Sequence, residues 1–222
     1  MLSPAVEDYL KTIFKLQDGD PVSTSAIAAN MDISAASVTG MAKRLSKMGL
    51  VSYESYRGVV LTDSGRKVAL EIIRHHRLLE LYLKEVLDYS WEQLHDEAEH
   101  LEHHISEEFE SKIEELLGFP THDPHGHPIP TRDGEIPDIQ ADPLTSFDEG
   151  ETVFVQHVSD SDPKLLEYLE GRGLMPQVNV TLLKKAPFNG PVTVRIDGSE
   201  QVIGHEVAGQ VYASKTESGE AE

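Results

Sequence analysis

Apolar side chains at Val6, Leu10, Ile13, Phe14 and Leu16 recur at helical spacing and predict one face of an amphipathic helix over residues 4–16. Pro4 behind Ser3 suits its start, and Asp18-Gly19-Asp20-Pro21 supplies the turn chemistry that ends it. Residues 22–30, with apolar Ile27 and Ala28, predict a short helix, and Met31-Asp32-Ile33 a tight connection. A further helix over 34–48 carries Val38, Met41, Ala42, Leu45 and Met48 as its buried stripe. Gly49 stands just beyond its end, where a left-handed cap belongs. Two short helices so joined form a helix-turn-helix. Residues 50–54 and 58–61 read as two strands around a small turn, hence a winged version, and Thr62-Asp63-Ser64-Gly65 opens the next helix.

From Arg66 the pattern is that of a long helix, with apolar residues from Val68 to Leu87. A second long helix is predicted over 91–117, where Leu94, Ala98, Leu101, Ile105, Phe109, Ile113 and Leu116 lie three or four apart. Two such helices carry more apolar surface than a small winged domain can cover, which points to a homodimer. Residues 118–150 contain six of the twelve prolines and read as an ordered turn followed by a linker. Short strands are then predicted at 152–158, 179–184, 192–196, 200–203 and 209–212, with one helix at 163–169. The expected architecture is mainly α with a β wing and a C-terminal small β-barrel. Its parts are a winged helix-turn-helix over 1–72, a helical metal-binding and dimerisation domain over 73–140, a linker over 141–150, the barrel over 151–214 and an acidic tail over 215–222.

Charge changes the picture once it is divided along the chain. The 222 residues carry 19 Lys+Arg against 39 Asp+Glu, a formal net charge of −20. Residues 1–74 hold nine basic and eight acidic side chains, so all the excess acid lies downstream. A nucleic-acid partner is therefore open to the first third and closed to the rest, because phosphate contact responds to local charge. With no cysteine there is no disulfide framework, zinc ribbon or thiol nucleophile. No apolar run approaches the ~20 residues that span a bilayer, and the start lacks signal-peptide features. A soluble cytoplasmic protein without a membrane partner is expected.

Six of the eleven histidines fall between positions 75 and 104. At about 100° per residue on one continuous helix, His95, Glu99, Glu102 and His103 occupy a single arc of about 100°. The arc borders the apolar stripe of Leu94, Ala98, Leu101 and Ile105, while His76 and Glu80 share a face of the preceding helix. Carboxylates bordering a core are costly unpaired, so a divalent metal is their natural partner. A plain charged, solvated helix is the competing reading of any such run. Zincin, ferritin-like, phosphate-loop and nucleophile-elbow patterns are absent, so an enzyme with a small-molecule substrate is not expected. Carboxylate and imidazole donors without sulfur suit Mn²⁺ first and Fe²⁺ second, and Co²⁺, Zn²⁺, Ni²⁺ or Cd²⁺ are expected to substitute in vitro.

The succession of a winged helix-turn-helix, His76-Arg-Leu-Leu-Glu80, His95-Asp-Glu-Ala-Glu-His-Leu-Glu-His103, Pro124-His-Gly-His-Pro-Ile-Pro130 and a small β domain resembles the diphtheria-toxin-repressor family of metal-dependent transcriptional regulators. The resemblance runs over residues 3–213. It implies a primary metal site on Asp8, Glu99, Glu102 and His103 and an ancillary one on His76, Glu80 and His95. An SH3-like third domain would lend Asp160, and Asp162 beside it, to the ancillary site. Carboxylates at 8 and 99, where iron-responsive members carry methionine and cysteine, resemble the manganese-responsive branch. The function implied is a homodimeric, Mn²⁺- or Fe²⁺-activated repressor of metal-uptake genes on a palindromic DNA operator. Ser34, Ala36, Ser37 and Thr39, near the start of the second helix of the motif, would reach base edges, and Lys43, Arg44 and Arg57 phosphates. Helix capping by the hydroxyls and plain surface for Lys43 and Arg44 remain open readings. So does a metal-dependent oxidase or metal-buffering protein that uses the same cluster without DNA.

Overall fold

The computed structural model describes residues 2–160 and 162–215, which fall into two compact units. The first gathers the chain up to His76 with residues 101–110 and 130–136. The second gathers 77–100, 111–129 and 137 onward.

In the first unit, α1 (Pro4–Leu16) buries Val6, Tyr9, Leu10 and Ile13. Ser23 caps α2 (Thr24–Asn30), its hydroxyl accepting from the Ala26 amide at 3.0 Å, and Ser34 caps α3 (Ala35–Lys47) in the same way. Each cap satisfies an amide that the first turn leaves without a partner. Asp32, at φ +52°, turns the chain between α2 and α3, and Gly49, at φ +75°, ends α3. Strands β1 (Val51–Glu54) and β2 (Gly58–Leu61) form the antiparallel wing, with Tyr53 opposite Val59. Leu10, Ile27, Val38, Leu45 and Val59 are fully buried in one core that joins α1, the helix-turn-helix and the wing. Helix α4 (Asp63–Glu85) then leaves this domain.

The long helix expected over 91–117 is two helices, α5 (Trp91–Leu101) and α6 (Glu107–Leu116). The His104 amide closes a turn on the Leu101 carbonyl at 2.9 Å, and the Ser106 hydroxyl accepts from the Phe109 amide at 3.2 Å. Ser106 thus starts a new helix, and Glu107, Glu108 and Glu110 in its first turn suit the positive end of the helix dipole. Apolar spacing carries on through the break, so periodicity alone does not register it.

In the second unit, six antiparallel strands are ordered β3-β8-β4-β5-β6-β7: β3 (Asp142–Pro143), β4 (Thr152–Val158), β5 (Asn179–Lys185), β6 (Val192–Ile196), β7 (Ser199–Ile203) and β8 (Val211–Lys215). Val153, Val155, Val180, Leu182, Val194 and Val211 fill its interior, with Leu166 and Leu169 of α7 (Pro163–Glu170) also buried. Among the described residues the sheet does not close into the expected barrel. The edge strand β3 is two residues long and stops at Pro143, which has no amide to donate. Asp142 and Pro143 lie in the stretch read as linker, yet they pair with Ala213 and Tyr212. A short helix α8 (His205–Ala208) displaces the last strand to 211–215. Residues 216–222 of the expected tail lie outside the described residues. Among the described residues no helix is long and apolar enough to cross a membrane.

One buried polar group of the first unit bears on stability. Arg74 Nε donates to Glu110 Oε1 at 2.6 Å, and its Nη1 to the Pro130 carbonyl at 2.7 Å. His75 Nε2 lies 3.5 Å from Glu110 Oε2. The His75 hydrogen bond, with Arg74 acting against the upward push of burial, holds the Glu110 carboxyl down at about 2. A carboxyl lowered from 4.5 stabilises the fold fully above that pH and loses its contribution as pH falls towards 2. Glu110→Gln should therefore cost roughly 2–3 kcal/mol at neutral pH, and the difference from wild type should vanish near pH 2. Urea unfolding of the two proteins across that range checks it.

Candidate metal centre

Helix α1 presents Val6, Leu10 and Ile13 to the core and Glu7, Asp8 and Lys11 to the turn that follows α5. In that turn Glu102 is fully buried and His103 is half-buried. His103 Nε2 lies 2.8 Å from Asp8 Oδ1 and 3.6 Å from Glu102 Oε1. Ligand-type atoms of Asp8, Glu102 and His103 all fall within 4.8 Å of one another, as a common ion requires. Because α5 ends at Leu101, Glu102 and His103 project from a turn and not from the helical arc expected of them.

Two further side chains of α1 border this trio. Glu7 Oε2 is 2.7 Å from His103 Nδ1. A proton held on Nδ1 by that carboxylate leaves the Nε2 lone pair for Asp8's side, the usual arrangement behind a ligating imidazole. Lys11 Nζ donates to both oxygens of Glu102, at 2.9 and 2.8 Å. Glu7, one residue before Asp8 on an amphipathic helix, looks like ordinary surface in a sequence.

The ancillary set is divided by the two units. His76, in the first, lies with Nδ1 2.6 Å from Glu102 Oε2. Glu80 and His95, in the second, approach to 3.5 Å, and Glu99 lies 3.7 Å from His95 along α5. Around Glu80 the second unit assembles residues of the turn at 123–127. His125 Nδ1 is 3.7 Å from Glu80 Oε2, and Asp123, His125 and His127 bring ligand-type atoms within 4.8 Å of one another. Asp160 joins them, its Oδ2 3.9 Å from His127 Nδ1. Asp162 instead caps α7, accepting from the Lys164 amide at 2.9 Å, because a helix start beside Pro163 claims its side chain.

The loop that carries Asp123, His125 and His127 is tied down by its own hydrogen bonds. Asp123 Oδ1 accepts from the His125 and His127 amides at 2.8 and 2.9 Å, and the Val158 amide bonds the His125 carbonyl at 3.0 Å. A Cβ on Gly126 would stand 2.1 Å from the Gln156 carbonyl oxygen, so the loop lies flush on β4. Asp123 Oδ2, both His125 ring nitrogens, His127 Nδ1 and His157 Nδ1 are buried with no hydrogen-bond partner among the described residues. Burial opposes the His125 imidazolium, yet Glu80, Asp123 and Asp160 outweigh it and raise the group's pKa. His157 goes the other way, to about 4, through burial and the neighbouring His127. Arg77 Nε lies 3.5 Å from Asp123 Oδ2, and the imidazoles left short of partners beside Glu80, Asp123 and Asp160 fit a divalent cation of intermediate hardness in the second unit.

The DNA-contact candidates all lie in the first unit. Ser34 and Ser37 hydroxyls bond each other at 2.9 Å, and the Thr39 hydroxyl donates to the Ala35 carbonyl at 2.8 Å, so these three also serve α3 itself. Ala36, Lys43 and Arg44 are exposed along α3. Arg57, at the wing tip, pairs with Glu54 at 3.0 Å, both exposed.

Three segments of the chain match known families. Residues 1–59 match the N-terminal DNA-binding domain of iron-dependent repressors, and 62–131 match their metal-binding and dimerisation domain. Residues 143–215 match the FeoA domain. The chain is 34% identical over 229 residues to the iron-dependent repressor IdeR of Mycobacterium tuberculosis, covering 96% of this chain and 98% of that one. It is 36% identical over 120 residues to the transcriptional regulator MntR of Oceanobacillus iheyensis, covering 54% of this chain and 81% of that one. A manganese-dependent transcriptional repressor solved with manganese superposes with a TM-score of 0.87 at 38% identity, over 95% of this chain and all of that one.

The Glu7 contact carries a prediction. Glu7→Ala removes no ligand but frees His103 to turn or change tautomer, so metal affinity of the Asp8 site should fall about 10- to 100-fold. Isothermal titration with Mn²⁺ checks this, and an unchanged affinity would show that His103 is oriented by other means.

Proposed function

The chain belongs to the iron-dependent repressor family of metal-dependent, DNA-binding, dimeric regulators, and on that premise we propose that it is a Mn²⁺-activated repressor of metal-uptake genes acting on a palindromic operator. The observation that carries this reading is the meeting of Asp8, on a helix of the winged domain, with Glu102 and His103. Asp8, Glu102 and His103 would hold the activating ion. Glu80, His95, Asp123, His125, His127 and Asp160 offer donors for a second, ancillary ion. The activating ion would supply a strong positive charge that lets these carboxylates approach one another.

The residues themselves supply the coupling. Asp8 shares α1 with Val6, Leu10 and Ile13, which are locked into the helix-turn-helix core, so restraining Asp8 restrains the reading head. In a homodimer two restrained heads lose less entropy on a palindrome than two loose ones. Ala36, Ser37 and Thr39 then read base edges, with Lys43, Arg44 and Arg57 on phosphates. The donors argue for manganese over iron. Carboxylate oxygen and imidazole nitrogen with no sulfur hold Mn²⁺ without demanding a particular geometry.

Two outcomes test the proposal. Glu102→Ala and His103→Ala should each lose the 5- to 150-fold gain in operator affinity that a coupling of about 1–3 kcal/mol provides. Mobility shift at controlled free Mn²⁺ reads this, and wild-type binding by either variant contradicts the metal link. Asp8→Met replaces a hard donor by a soft one. Activation should shift from Mn²⁺ towards Fe²⁺ or Co²⁺ under anaerobic conditions. An unchanged Mn²⁺ to Fe²⁺ activation ratio would remove this position from metal choice.

A further inference from the structure

Lys11 stands one helical turn beyond Asp8 on α1 and is only 5% exposed. Its ammonium donates to Oε1 and Oε2 of Glu102 at 2.9 and 2.8 Å, and lies 3.4 Å from His76 Nδ1. Glu102 is fully buried and also meets His76 Nδ1 at 2.6 Å. Both oxygens of a candidate metal ligand are thus engaged by a cation that the protein itself provides. A buried carboxylate needs a positive partner, and removing that partner leaves an uncompensated charge. A divalent ion that uses Glu102 takes over the same electrostatic role from the same oxygens.

We propose that Lys11 is an internal competitor which a metal ion must displace from Glu102, and that it thereby sets the free-metal concentration at which the Asp8–Glu102–His103 site fills. The inference rests on the reading of that trio as a metal site. Its physical content is a pre-equilibrium. If the ammonium holds Glu102 for all but one part in ten to one part in a hundred of the time, apparent metal affinity is lowered about 10- to 100-fold. A high threshold suits a sensor, which must stay empty until metal is in excess. The competitor and the ligand Asp8 ride on one helix, so exchanging ammonium for metal at Glu102 acts directly on the element that anchors the winged domain.

The test is titration of the full-length protein with Mn²⁺ against a fluorescent chelator, for wild type, Lys11→Gln, Lys11→Arg and Asp8→Ala. Asp8→Ala identifies which binding phase belongs to this site. Lys11→Gln should tighten that phase about 10- to 100-fold, and Lys11→Arg, which keeps the charge, should stay within about threefold of wild type. Metal-free Lys11→Gln should melt below wild type and gain more in Tm on saturation with Mn²⁺. Should it be unfolded without metal, circular dichroism follows Mn²⁺-dependent folding, and failure of saturating Mn²⁺ to restore the fold overturns the proposal. Equal Mn²⁺ affinity in Lys11→Gln and wild type, with Asp8→Ala weakened, assigns Lys11 a purely structural part and overturns the competition while the site reading stands. Wild-type binding by Asp8→Ala overturns the site reading, and the proposal falls with it.

Discussion

A carboxylate shut away from water must be neutralised, and Glu102 is the residue on which that demand falls hardest. It is fully buried, and three side chains from three segments satisfy it or border it: Lys11 from α1, His76 from α4 and His103 beside it in the turn. Taking such a charge out of water without partners costs several kcal/mol. The winged domain, the long helix and the turn after α5 are therefore held in register by one electrostatic requirement.

That requirement also explains why one helix serves two masters. α1 has an apolar stripe of Val6, Leu10 and Ile13 that belongs to the helix-turn-helix core, and a polar stripe of Glu7, Asp8 and Lys11 that belongs to Glu102 and His103. Helical geometry ties the two stripes together at fixed angle and rise. What happens to charge on one side is felt as packing on the other. On the proposed reading of Asp8 as a ligand, α1 would be the short route from ion to operator.

The second unit solves a different problem with the same chemistry. Its loop from Asp123 to His127 uses one carboxylate oxygen of Asp123 to fix its own backbone and leaves the other facing His127. Gly126 lets the loop lie directly on β4, which brings it beside Asp160 just beyond that strand. The FeoA-type domain is thus more than an appendage, since it contributes a carboxylate to a cluster of buried imidazoles.

Much of this was legible in the chain alone. Apolar spacing located α1, the helix-turn-helix, the wing and most strands, because those elements bury one face each and periodicity records which face is buried. The order of His76, Glu80, His95, Glu102 and His103 announced a metal-binding segment, since so many ligand types beside an apolar stripe have few other uses. Tertiary structure alone decided the rest. The break after Leu101 is invisible to a pattern that keeps its spacing through the turn, yet it redirects Glu102 and His103 towards α1. Lys11 and Glu7 became part of the site only because folding carried α1 against residues some ninety positions away, at |i−j| of 91 and 96. Asp123, His125 and His127 gained their surroundings only when the loop met β4. Periodicity reports what one segment buries; which charges meet across segments is set by packing, and it is packing that determines which carboxylate is left needing a cation.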